Sequence, residues 1–386
     1  MSHIKQIAVH NLTVGMYVSD QSEGIADGKI LDKGFIQRDE TVKKIQAKGL
    51  THVWIDVEKG EDSPFAVPLQ KDGPHPKPRV SVSDEMGMAQ KVHGEARGIL
   101  DNIIMDVKLG RAIDVAPVED LADDINNSVL NNPNALQCLS QIREKDKYLL
   151  EHSVNVGILM SIFATYMGFD KQLVKELTTG ALLHDIGKIR VPSKILNKAG
   201  KLTDDEWIEM KLHVAYGQAV LMKTEGISDV AKSICALHHE RLDGTGYPIG
   251  FKDHEIDLYG RLAAVVDVYD AITATRCYHE GKSPFEAMKI LTSLGGTHLD
   301  KSLVYSFIRC MSVYPAGTLL ELDNGKVGVV IEVTPRLPNK PIIRVFYSKK
   351  HKRYESPVVI NLAKSDLKVV ATWHAEDLGV QLSDFL

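Results

Sequence analysis

Leu183-His184-Asp185-Ile186-Gly187-Lys188 ends an amphipathic run that begins at Lys171, and the rest of the chain is read outward from it. A lone His-Asp pair after a helix is unspecific. Here it belongs to an ordered series. His152 lies in the run Leu149 to Met167, His213 in Asp204 to Lys223, His238-His239 close Asp229 to Leu237, and Asp267 lies in Leu262 to Thr273. Helical spacing of apolar residues in each run puts seven candidate ligands on five helices of one predicted bundle. Bundles build metal sites from side chains that project inward from facing helices. Imidazole and carboxylate together suit first-row divalent ions, here Fe or Mn with Ni or Zn as alternatives. Seven ligands exceed what one ion with open positions needs, so two ions are expected. Asp185 is the expected bridge, because a carboxylate has two oxygens. A single helical histidine is ordinarily a packed or solvated residue, which is how His93, His254 and His298 are read.

The bundle is flanked by different material, and the fold class expected is α+β overall. Residues 1–62 alternate apolar and polar, with a strand region over Ile7 to Val18 that turns at Asn11, strands expected over Lys29 to Ile36 and Thr51 to Val57 and a helix over Glu40 to Lys48. This reads as a small α+β accessory domain. Residues 63–82 hold Pro64, Pro68, Pro74, Pro76 and Pro78 and read as a semi-stiff linker. Residues 83–134 read as connecting helices, with Met88, Val92, Ile99, Ile103 and Ile104 inward and a second helix over Glu119 to Leu130. The all-α metal domain is placed at 135–315, including a helix over Pro284 to Leu294. Residues 316–386 read as a β-rich appendage, with Asp323-Asn324-Gly325 as a hairpin turn and strands over Val327 to Val333, Ile342 to Tyr347 and Pro357 to Leu362. The basic run Lys349 to Arg353 reads as a solvated loop.

The series resembles the HD phosphohydrolase superfamily, and His238-His239-Glu240-Arg241-Leu242-Asp243-Gly244-Thr245-Gly246-Tyr247-Pro248 resembles the defining stretch of its HD-GYP subfamily. Pro192, His213 followed by Gly217, and Asp267-Val268-Tyr269-Asp270-Ala271 fit the same order, over about Ala135 to Pro315. The resemblance implies that His152, His184, Asp185 and Asp267 hold a first metal, and that Asp185, His213, His238 and His239 hold a second. It implies a metal-bridging hydroxide as nucleophile. Lys188, one turn past Asp185, would donate to a phosphate oxygen or the leaving group. Members with a third metal carry a Glu four residues before the first histidine. Tyr148 stands there, and Glu144 and Glu151 are at the wrong offset, so two metals remain the expectation.

Gly244 to Pro248 would line the substrate cleft, with Gly246 allowing close backbone approach and Tyr247 stacking on a base or bonding a phosphate. Arg276 and Tyr278 match a family stretch usually read Arg-Pro-Tyr followed by a basic residue, but Cys277 and His279 depart from it. Arg276 is still expected to pair with a phosphate, and Lys282 is the candidate for a second contact. Asp270 either supports a ligand or caps its helix. Glu240 and Asp243 either orient the histidines or fix the turn.

The function implied is hydrolysis of cyclic di-GMP to pGpG, and on to GMP if the second ester is also cut. Rivals are the same chemistry on 3′,3′-cyclic GMP-AMP, an HD hydrolase acting on another phosphate ester, and a non-catalytic cyclic-dinucleotide receptor acting through a partner. The last loses ground because none of the seven ligand positions is degenerate. The first 60 or so residues resemble an uncharacterised domain often found before HD-GYP domains, without a receiver's phosphoacceptor cluster. Homodimer formation or a signalling partner is assigned to it.

Composition limits the remaining classes. A formal net charge of −5 with interspersed signs gives no basic field for nucleic acid, so no DNA or RNA partner is expected. Cys138, Cys235, Cys277 and Cys310 form no Cys-x-x-Cys pair, which fits a reducing compartment. The longest apolar stretch, Gly157 to Phe169, is too short to span a bilayer, and Met1 to Lys5 has no leader core. A cytoplasmic location is the expectation.

Overall fold

In the computed structural model, residues 4–19, 34–47, 52–63, 66–68, 78–141, 148–274, 281–333, 337, 339–373, 378 and 385 are described. Most of the Pro-rich linker, residues 29–33, Glu144 and the stretch 275–280 lie outside them, as does the side chain of Tyr148.

At the N-terminus, β1 (Ile4–Ala8), β2 (Tyr17–Val18), β3 (Gly34–Phe35), β4 (His52–Asp56) and β5 (Val67–Pro68) form a sheet in the order β3-β2-β4-β1-β5, with α1 (Asp39–Ala47) in the same unit. The β1–β4 register pairs Ile7 with Val53, and these residues share a core with Val18, Ile36, Ile55 and the inner face of α1, Val42 and Ile45.

The helices follow in chain order. α2 (Val82–Lys108), α3 (Ala116–Asn131) and α4 (Pro133–Leu139) precede α5 (Tyr148–Tyr166) and α6 (Lys171–Leu183). A 3-10 turn over Ile186–Arg190 leads to the short α7 (Ser193–Leu196), α8 (Asp204–Lys211), α9 (His213–Leu221) and α10 (Asp229–Leu237). α11 (Leu258–Thr273), α12 (Pro284–Leu294) and α13 (Lys301–Met311) complete the bundle. α5 is buried nearly all round, as a helix surrounded by others must be, and α2, α3, α4, α6, α11 and α13 pack about it. Starts are set by side-chain caps: Asp170 accepts from Leu173 N–H on α6, Ser228 from Ala231 N–H on α10, and Asp257 from Gly260 N–H on α11. Two glycines permit the closest approaches. A Cβ on Gly180 would lie 2.8 Å from Ala231 Cα, and one on Gly187 would lie 1.9 Å from the His213 carbonyl oxygen. α6 and α10, and the 3-10 turn and α9, therefore meet backbone to backbone.

The tail is an antiparallel sheet of β6 (Leu319–Leu322), β7 (Lys326–Glu332), β8 (Ile342–Ser348), β9 (Arg353–Asn361) and β10 (Val369–Trp373), in the order β10-β6-β7-β8-β9. Asp323-Asn324-Gly325 turns β6 into β7, with Gly325 at φ +77°. The sheet is fastened to α4, where Asn134 Oδ1 accepts from Val333 N–H at 3.2 Å.

Four sequence expectations need correction. The buried stripe of α2 runs through Ala89, Val92, Ala96, Leu100 and Ile103, and Met88 is 52% exposed because it falls one position off that face. The run Asp204 to Lys223 is two helices, broken at Leu212, whose N–H turns to the Glu209 carbonyl in a tighter step. α4, α13 and β10 were not placed, β6 is the first arm of the expected hairpin, and Leu303, Val304, Phe307 and Met311 bury one face of α13. β9 begins before Pro357, which an edge strand tolerates because its free side needs no N–H donor. Among the described residues, no helix is long and apolar enough to cross a membrane.

Candidate metal centre

All seven sequence-predicted ligands converge. His152 comes from the first turn of α5, His184 follows the end of α6, and Asp185 heads the 3-10 turn. His213 opens α9, His238 and His239 follow α10, and Asp267 lies on α11. The break at Leu212 places His213 at a helix start, where its Nδ1 donates to the Met210 carbonyl at 2.7 Å. His184 Nδ1 donates to Ala181 O at 2.7 Å, and His238 Nδ1 faces Cys235 O at 3.0 Å. Each backbone carbonyl selects the Nδ1–H tautomer and aims Nε2 inward.

The inward atoms sort around Asp185. Its Oδ2 lies 3.4 Å from both His152 Nε2 and His184 Nε2. Its Oδ1 lies 3.4 Å from His213 Nε2 and 3.7 Å from His238 Nε2. Asp267 is also two-sided: Oδ1 lies 3.0 Å from His152 Nε2 and Oδ2 lies 3.6 Å from His239 Nδ1. Two groups compact enough to hold a cation result, Asp185 with His213, His238 and His239, and Asp185 with His152 and His184.

The site fits a divalent cation. Nε2 of His184, His213 and His238 and Oδ1 of Asp185 are buried and make no hydrogen bond. Leaving such atoms without partners is costly, and ligation by a cation removes that cost. The charge states suit the purpose. Burial pushes the Asp185 carboxyl up, but Lys188, His184 and His152 outweigh it and hold it well below its ordinary value. At Asp267 burial pushes the same way, and the hydrogen bond from His152 leads the effects that outweigh it and hold the carboxyl well below its ordinary value. Burial drives His213 down to about 3 against the pull of Asp185. It drives His239 well below its usual value too, with His238 adding to the effect. Carboxylates are thus ionised and these imidazoles neutral, the forms that bind metal.

Surrounding residues resolve the alternatives. Asp270 meets a candidate ligand: its Oδ2 lies 2.8 Å from His152 Nδ1. Glu240 fixes the turn. Buried itself, it accepts the N–H groups of Ile249 at 2.9 Å, Gly250 at 3.1 Å and Phe251 at 3.0 Å. Asp243 does the same locally, accepting from Thr245 N–H at 2.9 Å and facing His298 at 3.4 Å. Lys188 bonds to Asp185 Oδ2, the oxygen that His152 and His184 also face.

Tyr247 lies over His239, ring centroids 4.6 Å apart. Burial and the charges of Asp267 and Asp185 push its hydroxyl above the ordinary value, so it remains a donor. The close approach at Gly246 is to the chain itself, since a Cβ there would lie 2.4 Å from Arg241 N. Lys282 is exposed just before α12, its N–H donating to Ile272 O at 2.9 Å. Arg276 lies outside the described residues. The sequence reading passed over Trp207 of α8, whose ring meets Tyr247 at 5.9 Å. The available signal was a large aromatic following the Thr203–Glu206 capping pattern.

The chain is similar to known proteins along its length. Family profiles match at residues 4–118 (a domain of unknown function, DUF3391), 137–303 (HD domain) and 319–374 (KOW domain associated with HD domain). A cyclic di-GMP phosphodiesterase of Pseudomonas aeruginosa is 35% identical over 373 residues, 94% of this chain and 90% of that protein. A 3′3′-cGAMP-specific phosphodiesterase of Vibrio cholerae is 31% identical over 209 residues, 50% of this chain and 45% of that protein. The solved structure of an HDG"Y"P protein from Bdellovibrio bacteriovorus has the same fold, with a TM-score of 0.50 at 21% identity over 79% of this chain and 98% of that one.

Proposed function

The chain belongs to the HD-GYP family of cyclic-dinucleotide phosphodiesterases, and on that premise we propose that it hydrolyses cyclic di-GMP to linear pGpG. The observation that carries this is the two-sided environment of Asp185, with His152 and His184 at one oxygen and His213 and His238 at the other. Asp185 would be shared by two divalent ions, Fe or Mn first. His152, His184 and Asp267 complete one set, and His213, His238 and His239 the other. Such ions, when bound, activate a water for in-line attack and neutralise phosphate charge.

The chain's own residues supply the rest. The carbonyls behind His184, His213 and His238 keep the imidazoles oriented. Lys188 brings a positive donor to a phosphate oxygen or the leaving group. Tyr247, held protonated, offers a hydroxyl and a ring face over His239. Arg276 and Lys282 are assigned to the second phosphate. Attack of water on one phosphorus breaks its P–O3′ bond, and the 3′ oxygen leaves with a proton to give the linear dinucleotide.

A second reading, hydrolysis of 3′,3′-cyclic GMP-AMP, is supported by the Vibrio cholerae relative of that specificity. We also retain the division into an accessory domain at 1–62, linker at 63–82, connecting helices at 83–134, metal domain at 135–315 and β-rich appendage at 316–386, with any dimer or signalling contact assigned to the first. A chromatographic time course decides between the readings. Protein loaded with Mn(II) or Fe(II) is offered both cyclic dinucleotides in parallel. Linear product from cyclic di-GMP, lost in Asp185→Ala, is expected. Cleavage of the hybrid alone moves the substrate to the second reading. Cleavage of neither by metal-loaded protein overturns both and favours a receptor.

A further inference from the structure

α8 is a helix without a buried residue, yet it carries Trp207 at 45% exposure and Ile208 at 57%. A helix with no fully buried residue is only weakly positioned by a core, so its ends matter for where it sits. At the N-terminus, Thr203 Oγ1 accepts from Glu206 N–H at 3.3 Å and Glu206 Oε2 accepts from Thr203 N–H at 2.8 Å. Lys198 also bonds to Glu206. At the other end, Glu209 accepts from the Tyr216 hydroxyl of α9 at 3.2 Å. Lys198 and Tyr216 thus tether a helix whose Trp207 and Ile208 face outward.

Trp207 is not isolated on that surface. Its ring meets Tyr247 edge to face, 5.9 Å between centroids at 81°. Tyr247 in turn lies over His239 at 4.6 Å and 34°. The three rings run from the ligand cluster to solvent, a reach on the scale of a nucleotide's phosphate-to-base span. An edge-to-face pair leaves at least one face of Trp207 uncovered by Tyr247. Ile249, 66% exposed, adds apolar surface to the loop that presents Tyr247.

We propose that Trp207 is a stacking platform for one purine of the bound cyclic dinucleotide, placed by α8 beyond Tyr247 while a phosphate occupies the His/Asp centre. The inference rests on the phosphodiesterase reading above and adds a specificity-related contact to it. Every nucleobase offers a π-face, and stacking on an aromatic side chain tolerates base identity. Trp207 therefore contributes affinity for a dinucleotide over a simple diester, and does not choose guanine over adenine.

The test compares metal-loaded full-length wild type with Trp207→Ala and Trp207→Phe. Substrates are cyclic di-GMP, 3′,3′-cyclic GMP-AMP and methyl p-nitrophenyl phosphate, a diester with no base. From the usual worth of one stacked base, Trp207→Ala should raise KM for the dinucleotide turned over about ten-fold, with kcat changing far less. Its preference for that dinucleotide over the simple diester, as a ratio of kcat/KM, should fall by the same factor. Trp207→Phe should restore most of the loss. Tryptophan emission should be quenched by cyclic di-GMP in the wild type and much less in Trp207→Phe. An unchanged KM in Trp207→Ala, or equal losses on dinucleotide and simple diester, would overturn the platform and leave Trp207 a prop for Tyr247. Wild type that cleaves the simple diester but neither dinucleotide would sink the phosphodiesterase reading separately. In that case quenching tied to Trp207 would still support the stacking contact, and its absence would remove it.

Discussion

Asp185 and Glu240 are both buried carboxylates at the same end of the bundle, and their surroundings are opposite. Glu240 is met by three backbone N–H groups of the loop that follows it. Asp185 Oδ1 makes no hydrogen bond and faces imidazole nitrogens that make none either. The first arrangement is complete without anything added. A buried acid that gathers donors from its own chain holds that chain in shape. The second is complete only with a positive centre between its atoms. The contrast separates residues that build the site from residues that await a ligand, although both kinds fall within one family stretch of sequence.

Exchanging the two acids should break this contrast most visibly. Asp185→Ala should lower turnover by at least about a thousand-fold, since the proposed mechanism has this carboxylate serve both cations. It should also deplete metal, read by elemental analysis of the purified protein. Glu240→Ala should leave metal content near wild type. Instead it should cost about 3 kcal/mol of stability, because several loop donors lose their acceptor at once. Elemental analysis and chemical denaturation of the two variants side by side would contradict the contrast if Glu240→Ala were the one that lost its metal and kept its stability.

Gly187 and Asp270 sharpen the comparison with smaller effects. A Cβ at Gly187 would run into the His213 carbonyl, so Gly187→Ala must part the 3-10 turn from α9. A loss of about 2 kcal/mol is expected from the overpacking, visible as a lowered denaturation midpoint. Asp270→Asn keeps shape but weakens the partner of His152 Nδ1. Metal affinity should fall about ten-fold or more, as for other outer partners of ligating histidines, with stability little changed. Equal metal affinity in a competition titration would show that Asp270 does not act through His152.

The smallest effect is a pH dependence confined to the metal-free protein. His213 is held neutral, its folded value near 3 against an ordinary 6.5. A depressed value stabilises the fold above the unfolded value and loses that contribution as pH falls toward the folded one. The melting temperature of metal-free protein should therefore drop on acidification below about pH 6.5. A flat profile there would mean that His213 is not buried neutral.

The convergence of the seven candidate residues was legible because they recur on separate helical runs, each with its own apolar spacing. The α10 run ends where it was placed, and His238-His239 follow directly. What could not be read were choices made by tertiary contact. Met88 and Ala89 are neighbours, and periodicity alone did not decide which faces the bundle. The break at Leu212 has no glycine or proline to announce it. It is visible in the tighter step of Leu212 N–H onto the Glu209 carbonyl and in the contact that His213 makes with Met210. Glu240 and Asp270 were recognised as acids near the site, but their tasks depend on which donor each one meets. Trp207 was missed because no sequence pattern reveals that its helix buries nothing.

The most direct test of the central claim is a metal titration run together with turnover. Metal-free wild type and Asp185→Ala are titrated with Mn(II) without oxygen, and bound metal and linear dinucleotide are measured at each step. The account predicts about two equivalents bound per chain in the wild type, with cleavage rising as they bind, and loss of both in Asp185→Ala. An Asp185→Ala protein that binds as much metal and cleaves cyclic di-GMP as fast as wild type would contradict it.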